Sequence, residues 1–454
     1  MTEILYLLCA AAFIIGLKQM NGPRTARQGN LLAGVGMLAA TVITLVAEDI
    51  VNWGTIAGGL ALGTALGVWA ALRVRMTAMP QMVAAFNGFG GIASALVAAV
   101  AVVDGDVAEL PLETTVTIIL SIVIGAVTFT GSFVAFGKLQ GIVTGRPLLF
   151  RGQQVVNGLI TVVAISVAIW TLTEANPVGY WILGGIALLI GVLAVVPIGG
   201  ADMPVVISLL NSFSGLAAAT AGFVIGNDAL IIGGALVGAA GLILTIQMTE
   251  AMNRSLANVL FAGFGSGEGG GPAVMSDRPV KRATADDVAI ALGYADSVMI
   301  VPGYGLAVAQ AQHATRELAT ELEERGVSVH YAIHPVAGRM PGHMNVLLAE
   351  ADVPYEQLLD LEQADPQLPQ TDAVLVLGAN DVVNPSARDD PESPIYGMPI
   401  LNVDRAHTVV VVKRSLAPGF AGIDNPLFYA ENTLMFFGDA KDALEQTLIA
   451  LREL

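Results

Sequence analysis

Hydrophobic residues run in long unbroken stretches up to about residue 250 of the 454-residue chain and in short ones beyond it. The long stretches lie near residues 4–17, 31–46, 53–72, 82–103, 115–136, 155–172, 181–196, 205–225 and 229–247. A helix crosses a hydrocarbon core with roughly 20 apolar residues, so the pattern predicts about nine transmembrane helices, the second and seventh short. The first stretch has neither a basic lead-in nor a small-residue cleavage site, and it reads as a span and not as a signal peptide. Further on, short apolar runs predict strands at 297–301, 328–333, 373–377, 408–412 and 433–437. Helical patterns fall at 285–294, 306–325, 342–351, 354–363 and 439–451. Such alternation predicts a doubly wound parallel sheet.

Between the two regimes, Gly263-Phe264-Gly265-Ser266-Gly267-Glu268-Gly269-Gly270-Gly271-Pro272 reads as a flexible linker, extended by Pro279-Val280-Lys281-Arg282. Thr284 and Asp287 then have the spacing of a capping box, with Asp for the usual Glu or Gln. The expected organisation is a polytopic α-helical membrane domain over 1–254, a Gly-rich linker over 255–283 and a cytoplasmic α/β Rossmann-like domain over 284–454.

Charge divides the chain in the same way. Residues 1–254 carry 9 Lys/Arg and 11 Asp/Glu, and residues 255–454 carry 12 and 27, so nearly all of the net charge of −17 is C-terminal. A domain this acidic is a poor partner for nucleic acid. Cys9 is the only cysteine, which excludes an intrachain disulfide. Lys18, Arg24, Arg27, Arg73, Arg75, Lys138, Arg146, Arg151 and Arg254 all fall on one side of the spans, and Glu48, Asp49, Asp104, Asp106, Glu109, Glu113, Glu174 and Asp228 on the other. By the positive-inside rule the N-terminus is expected outside and the C-terminal domain in the cytoplasm of a multi-pass plasma (inner) membrane protein.

The fourth and eighth spans open alike, with Met79-Pro80-Gln81-Met82-Val83-Ala84-Ala85-Phe86-Asn87 and Met203-Pro204-Val205-Val206-Ile207-Ser208-Leu209-Leu210-Asn211. Both run in the same direction, so the repeat is parallel. Each Asn lies seven residues past its Pro, roughly 10 Å along the helix. Asn87, Gly91 and Ser94 share one face, as do Asn211, Gly215 and Ala218. Two readings stay open: close packing with an interhelical amide bond, or a hydrated polar path near the bilayer centre. The middle of every span lacks Asp, Glu, Lys, Arg and His, so a proton-carrying group would belong to another subunit, to Asp202 or Glu250 near the cytoplasmic face, or to a water chain.

In the C-terminal part, Ser297-Val298-Met299-Ile300-Val301-Pro302-Gly303-Tyr304-Gly305-Leu306-Ala307-Val308 reads as strand, glycine turn and helix, the order in which backbone N–H groups meet a dinucleotide's pyrophosphate. Gly303 is expected to permit the tight turn and Gly305 the approach to phosphate. Val308 stands where the third fingerprint glycine would be, so the motif alone fits an ordinary αβ connection about as well. Loops at the strand ends, 334–342, 378–381 and 413–415, converge on the same rim. The second strand ends at His334 with no carboxylate for a ribose 2′-OH. Lys413 and Arg414 end an apolar strand, either as a solvated pair or as partners of a 2′-phosphate with Ser415. On balance NADP is favoured over NAD.

Together these residues resemble the β subunit of the proton-translocating NAD(P) transhydrogenases, over essentially the whole chain. The resemblance rests on Val301-Pro302-Gly303-Tyr304-Gly305-Leu306-Ala307-Val308-Ala309-Gln310-Ala311-Gln312, Pro335-Val336-Ala337-Gly338-Arg339-Met340-Pro341-Gly342, Gly378-Ala379-Asn380-Asp381, Gly397-Met398-Pro399, Lys413-Arg414-Ser415, Asp424-Asn425-Pro426 and Gly438-Asp439-Ala440-Lys441. It implies hydride transfer between NAD(H) and NADP(H) coupled to proton movement. NADP(H) would be bound by this chain and NAD(H) by an α-type partner subunit, in a homodimer of the αβ protomer embedded in the lipid bilayer. Tyr304 and its neighbours through Val308 would line the pyrophosphate and nicotinamide end, and Val336 to Gly342 would close over the phosphates around Arg339. Asn380, Asp381 and Val382 would sit near the nicotinamide, with Asp381 a link to the proton path. Gly397, Met398, Asp439 and Ala440 would belong to the site, Lys413, Arg414 and Ser415 would hold the 2′-phosphate, and Lys441 would lie near the adenosine. Gly419, Phe420, Ala421 and Gly422 would form a lid, where the family commonly has Tyr at the Phe420 position. The proton path would involve Asn87, Ser94, Asp202 and Asn211. Some members carry a histidine at the place of Asn87, and its role does not transfer to an amide. No catalytic side chain and no metal is expected, because the cofactors carry the chemistry. The competing reading is a channel or transporter gated by a nucleotide-sensing domain.

Overall fold

A computed structural model describes residues 2–20, 23–47, 53–75, 78–104, 110–145, 147–252, 255–261, 278–340, 342–419 and 421–454. Pro341, Phe420, Arg146, Arg254, Glu48, Asp49, Asp106, Glu109 and the glycine linker 263–272 lie outside them. Contacts divide the chain into two compact units, Met1–Ile246 with Leu256–Gly265, and Gln247–Ser255 with Ser266–Leu454.

The first unit is built from α1 (Thr2–Gln19), α2 (Pro23–Ala47), α3 (Trp53–Arg73), α4 (Met79–Asp104), α5 (Leu112–Gln140), α6 (Gln153–Glu174), α7 (Pro177–Val195), α8 (Met203–Ile225) and α9 (Asp228–Ala251), with the short α10 (Leu256–Phe261) after them. Among the described residues, nine helices are long and apolar enough to cross a membrane, as the hydrophobic pattern predicts. The chain is a multi-pass membrane protein. α5 and α8 are the most enclosed by neighbours, whereas α3 buries no residue within the chain. One sequence expectation needs correction. The fifth span, expected to end near residue 136, continues to Gln140, so that Lys138 lies inside α5 and is buried. Its Nζ donates to the carbonyls of Val196 and Ile198, each at 2.6 Å. Those carbonyls follow the C-terminal, electronegative end of α7, which suits an ammonium that water cannot reach.

The repeat extends to packing. A Cβ at Gly91 of α4 would lie 2.8 Å from Gly125 O of α5, and one at Gly215, the matching position in α8, 2.7 Å from Gly234 O of α9. Lipid tails are as apolar as leucine, so close backbone approach supplies helix association here.

The second unit holds six strands: β1 (Ser297–Pro302), β2 (Ser328–Ile333), β3 (Leu358–Asp360), β4 (Ala373–Leu377), β5 (Thr408–Lys413) and β6 (Thr433–Phe437). Their order is β3-β2-β1-β4-β5-β6 and every pair is parallel. This is the doubly wound dinucleotide-fold order, reversing between β1 and β4. β4 is buried at all five positions and β1 at five of six, as β-branched runs covered on both faces should be. Helices α11 (Ala285–Gly293), α12 (Tyr304–Ala309), α13 (Gln312–Glu324), α14 (His343–Glu350), α15 (Leu361–Ala364), α16 (Ser386–Asp389) and α17 (Ala440–Glu453) complete it. The capping box forms, with Thr284 Oγ1 accepting the Asp287 N–H and Asp287 Oδ2 accepting the Thr284 N–H.

Two expectations differ from the structure. The helix expected at 354–363 is a 3-10 turn, the strand β3 and the four-residue α15, because Leu358 to Asp360 pair with Tyr331 to Ile333 at the sheet edge. The helix expected over 306–325 is two helices. Gln310 is left-handed at φ 53°, and a Schellman-type closure runs from Gln310 N to Ala307 O and from Ala311 N to Leu306 O, both 3.1 Å.

Candidate functional site

Because all strands are parallel, the loops leaving β1, β2, β4, β5 and β6 share one rim, and its centre is the switch point between β1 and β4. There two glycine turns cross. Gly303 N donates to Leu377 O at 2.9 Å and Gly305 N to Gly378 O at 3.0 Å. A Cβ on Gly305 would sit 2.6 Å from Gly378 Cα, and one on Gly303 would meet the Ala379 backbone. Gly303 is extended, at φ −123° and ψ −175°, a conformation open to any residue, so what requires glycine at this turn is the close backbone contact. Gly378 does need its positive φ of 65°. On α12, Leu306 and Ala307 are buried and Val308 is exposed.

Above this crossing, the Arg339 guanidinium lies 4.4 Å over the Tyr304 ring, and the His343 ring stands 6.4 Å from the same ring. Burial raises the Tyr304 phenol above its ordinary pKa, against the opposing Arg339 charge. Arg339 belongs to the turn after β2, with Val336, Ala337, Gly338, Met340 and Gly342. That turn is anchored at its base by His334, which is 1% exposed. His334 Nδ1 accepts the Val336 N–H at 3.2 Å, and Nε2 lies 2.7 Å from Pro399 O. Since Nδ1 accepts, Nε2 carries the proton and donates to Pro399. Burial lowers the His334 pKa to about 4. Gly397 and Met398 are thereby tied to the rim through the Pro399 carbonyl.

After β4, Asp381 Oδ2 accepts the Ala421 N–H at 3.0 Å, and a Cβ on Gly419 would fall 2.5 Å from the Asp381 carboxylate. The expected lid segment thus rests on Asp381. Lys413, ending β5, donates to Ala417 O and lies 5.3 Å over the Phe428 ring. Burial lowers its pKa, while the charges of Asp381 and Asp424 oppose the shift. Arg414 and Ser415 are exposed beside it, Ser415 Oγ accepting the Ala417 N–H at 3.3 Å. At the sheet edge, Asp439 caps α17 by accepting the Lys441 N–H at 3.1 Å, Ala440 is buried, and Lys441 pairs with Glu445 at 3.8 Å.

Several residues have supporting roles that the sequence reading did not assign. Asn425, fully buried, donates from Nδ2 to Asn380 O at 3.1 Å and to Asn380 Oδ1 at 3.0 Å. Asn384 Nδ2 donates to Asp424 O at 3.0 Å, and Tyr429 to Asp424 Oδ1 at 3.1 Å. The Asp424-Asn425-Pro426 motif was visible, but its role in pinning the β4 turn depends on which loop it meets. His343 and His334 were likewise invisible as anchors. The donor set suits an anionic dinucleotide: three cations on one rim, a glycine cradle a Cβ would fill, and a buried Asn380 Nδ2 with no partner among the described residues.

In the membrane unit, Asn87 Nδ2 donates to Ser132 Oγ of α5 at 2.9 Å, and Ser214 Oγ of α8 donates to Asn87 O at 3.2 Å. Ser121 Oγ lies 3.1 Å from both Ser94 O and Ala217 O. A polar seam therefore joins α4, α5 and α8. Asn211 is partly exposed on α8, and no hydrogen bond joins it to Asn87 among the described residues. Asp202 ends a 3-10 turn and precedes α8.

Comparison with known proteins places these features in a family. The family model described as NAD(P) transhydrogenase beta subunit matches residues 2–450. NAD(P) transhydrogenase subunit beta of Rhodospirillum rubrum is 47% identical over 460 residues, covering 99% of each chain. A protein of the same name from a named strain of that organism gives the same identity and coverage.

Proposed function

The chain belongs to the NAD(P) transhydrogenase beta subunit family, and from that premise we propose that it is the NADP(H)-binding, proton-translocating half of a transhydrogenase completed by an NAD(H)-binding alpha-type subunit. The observation that carries the NADP(H) reading is the joining of the Gly303–Gly305 and Gly378 turns at the β1/β4 switch point, with Lys413 and Arg414 ending the next strand. Lys413, Arg414 and Ser415 would hold the 2′-phosphate, a dianion that two cations and a hydroxyl match. Arg339, braced on Tyr304, would cover the pyrophosphate with the turn from Val336 to Gly342. Asn380 would direct its spare N–H to the nicotinamide end, beside Asp381 and Val382. Gly419 to Ala421 would close over the cofactor while resting on Asp381. When bound, NADP(H) supplies the hydride chemistry, so the residues here bind, orient and exclude water.

Coupling requires that proton occupancy in the membrane favour one of two states of the nucleotide domain that differ in NADP(H) affinity. Asn87, Ser94, Asn211 and Asp202 would line the path, with Ser132 and Ser214 in its hydrogen-bonded seam. The boundaries 1–254, 255–283 and 284–454, an outside N-terminus with a cytoplasmic nucleotide domain, and a dimer of αβ protomers belong to the same proposal.

Lys413→Ala separates this from a general nucleotide fold. NADPH binding should weaken by about 1–3 kcal/mol, the range for a lost charge-assisted bond, with NADH binding nearly unchanged. Equal losses for both nucleotides would refute the 2′-phosphate assignment. In vesicles containing both subunits, reduction of an NAD analogue by NADPH should move lumenal pH, and transfer indifferent to a proton gradient would refute coupling.

A further inference from the structure

His343 begins α14, but its ring folds back on the turn that carries Arg339, and it is only 1% exposed. Nδ1 accepts the Arg339 N–H at 3.0 Å, and the His343 N–H donates to Met340 O at 3.1 Å. Gly338, at φ 101°, presses on the ring: a Cβ there would lie 2.5 Å from Nδ1 and 2.7 Å from the His343 Cβ. Because Nδ1 accepts, the single proton of the neutral ring is on Nε2. A second proton would place an N–H at Nδ1 against the N–H of Arg339, two donors with no acceptor between them. Nε2 is buried without a partner among the described residues, so an imidazolium would find no compensating acceptor on its other side either. Among the described residues, the charged and titratable groups that face the ring are Arg339 on its own turn and Tyr304 on α12.

We propose that neutral His343 is the positioning residue that keeps the Arg339 turn closed, and that protonating it releases the turn and weakens nucleotide binding. This rests on reading the rim as the NADP(H) site. The sign follows from the surroundings: burial, then the Arg339 charge, lower the His343 pKa below its ordinary 6.5. The closed turn is therefore fully supported above that value and loses support as pH falls through the lowered one.

The test uses the full chain assembled with its alpha-type partner, with NADPH affinity measured from pH 5 to 8. Affinity of the unaltered protein should fall below the His343 midpoint by up to about tenfold per pH unit, the limit for one proton. In His343→Asn, Oδ1 stands in for Nδ1 as acceptor and does not titrate. That variant should keep neutral-pH affinity and lose the part of the acid-side fall that exceeds protonation of the 2′-phosphate itself, whose second pKa is about 6. His343→Gln presents its oxygen farther out and should behave like His343→Ala, weak at every pH. An Asn variant as pH-dependent as the unaltered protein, or a Gln variant equal to Asn, would overturn the proposal. A second readout needs no nucleotide: ¹⁵N shifts should place the neutral proton of His343 on Nε2 and show the Arg339 amide protected from exchange. An Nδ1-protonated tautomer would overturn the latch. Failure of NADPH to bind the unaltered protein at any pH would instead overturn the site reading, and the ¹⁵N measurement would still decide the latch.

Discussion

Single residues at the rim act mainly by what they hold. Gly305 lies against Gly378 backbone-to-backbone, where neither partner has a flexible end to move aside. Gly305→Ala should lower the thermal stability of the nucleotide domain by about 1–3 kcal/mol, as overpacking does, and calorimetry would measure it. Asn425→Ala leaves the Asn380 carbonyl and side chain without their donor, an unmet buried demand of about 1–3 kcal/mol. That variant should weaken NADPH binding through a loosened β4 turn, while a 2′-phosphate fragment lacking nicotinamide should bind as it does to the unaltered protein. His334 supplies a pH dependence. Its depressed pKa means that the stability held by the neutral ring, whose Nδ1 accepts the Val336 N–H, is fully present above pH 6.5 and fades as pH falls toward about 4. Acid unfolding of the unaltered domain should include a component of roughly 3 kcal/mol over that window, at 1.36 kcal/mol per unit, which His334→Gln abolishes.

At the scale of elements, the membrane helices are sorted by their glycines. Gly91 touches α5 through backbone atoms, whereas its neighbour Gly90 has nothing within 4 Å of the position its Cβ would take. Gly91→Leu should force α4 and α5 apart and lower the melting temperature in detergent, while Gly90→Leu should be tolerated. Equal effects would refute glycine-mediated packing. The same scale shows what could be read beforehand. The spans and five strands are legible because burial on both faces demands long or β-branched apolar runs, as in Thr408–Lys413. The edge strand β3 escapes notice because three residues, two of them partly exposed, leave no run to detect. The break at Gln310 has no glycine to announce it, since the closing bonds of α12 stabilise a left-handed residue that is not intrinsically suited to it. The cations of β5 were visible from their place at the end of an apolar strand, but the charges opposite Lys413 come from the β4 loop, at Asp381, and from eleven residues further along its own loop, at Asp424.

For the whole molecule, the distribution of Lys and Arg predicts a direction of insertion. A reporter fused after Leu454 should be cytoplasmic and one fused before Thr2 external; the reverse result would overturn the orientation. The crossing of the β1 and β4 turns has a mechanical consequence. Gly303, Gly305, Gly378 and Ala379 are interlocked through main-chain atoms, so these two turns can shift only as one solid knuckle. The Arg339 turn and the segment ending at Ala421 are instead fastened by side-chain acceptors, His343 Nδ1 and Asp381 Oδ2. Side-chain clasps can be undone by a proton or a rotamer change, and an interlocked main chain cannot. On the proposed NADP(H) reading, this crossing is an anvil of fixed shape beneath the cofactor, and gripping and releasing it falls to the two side-chain-clasped segments as hinged jaws.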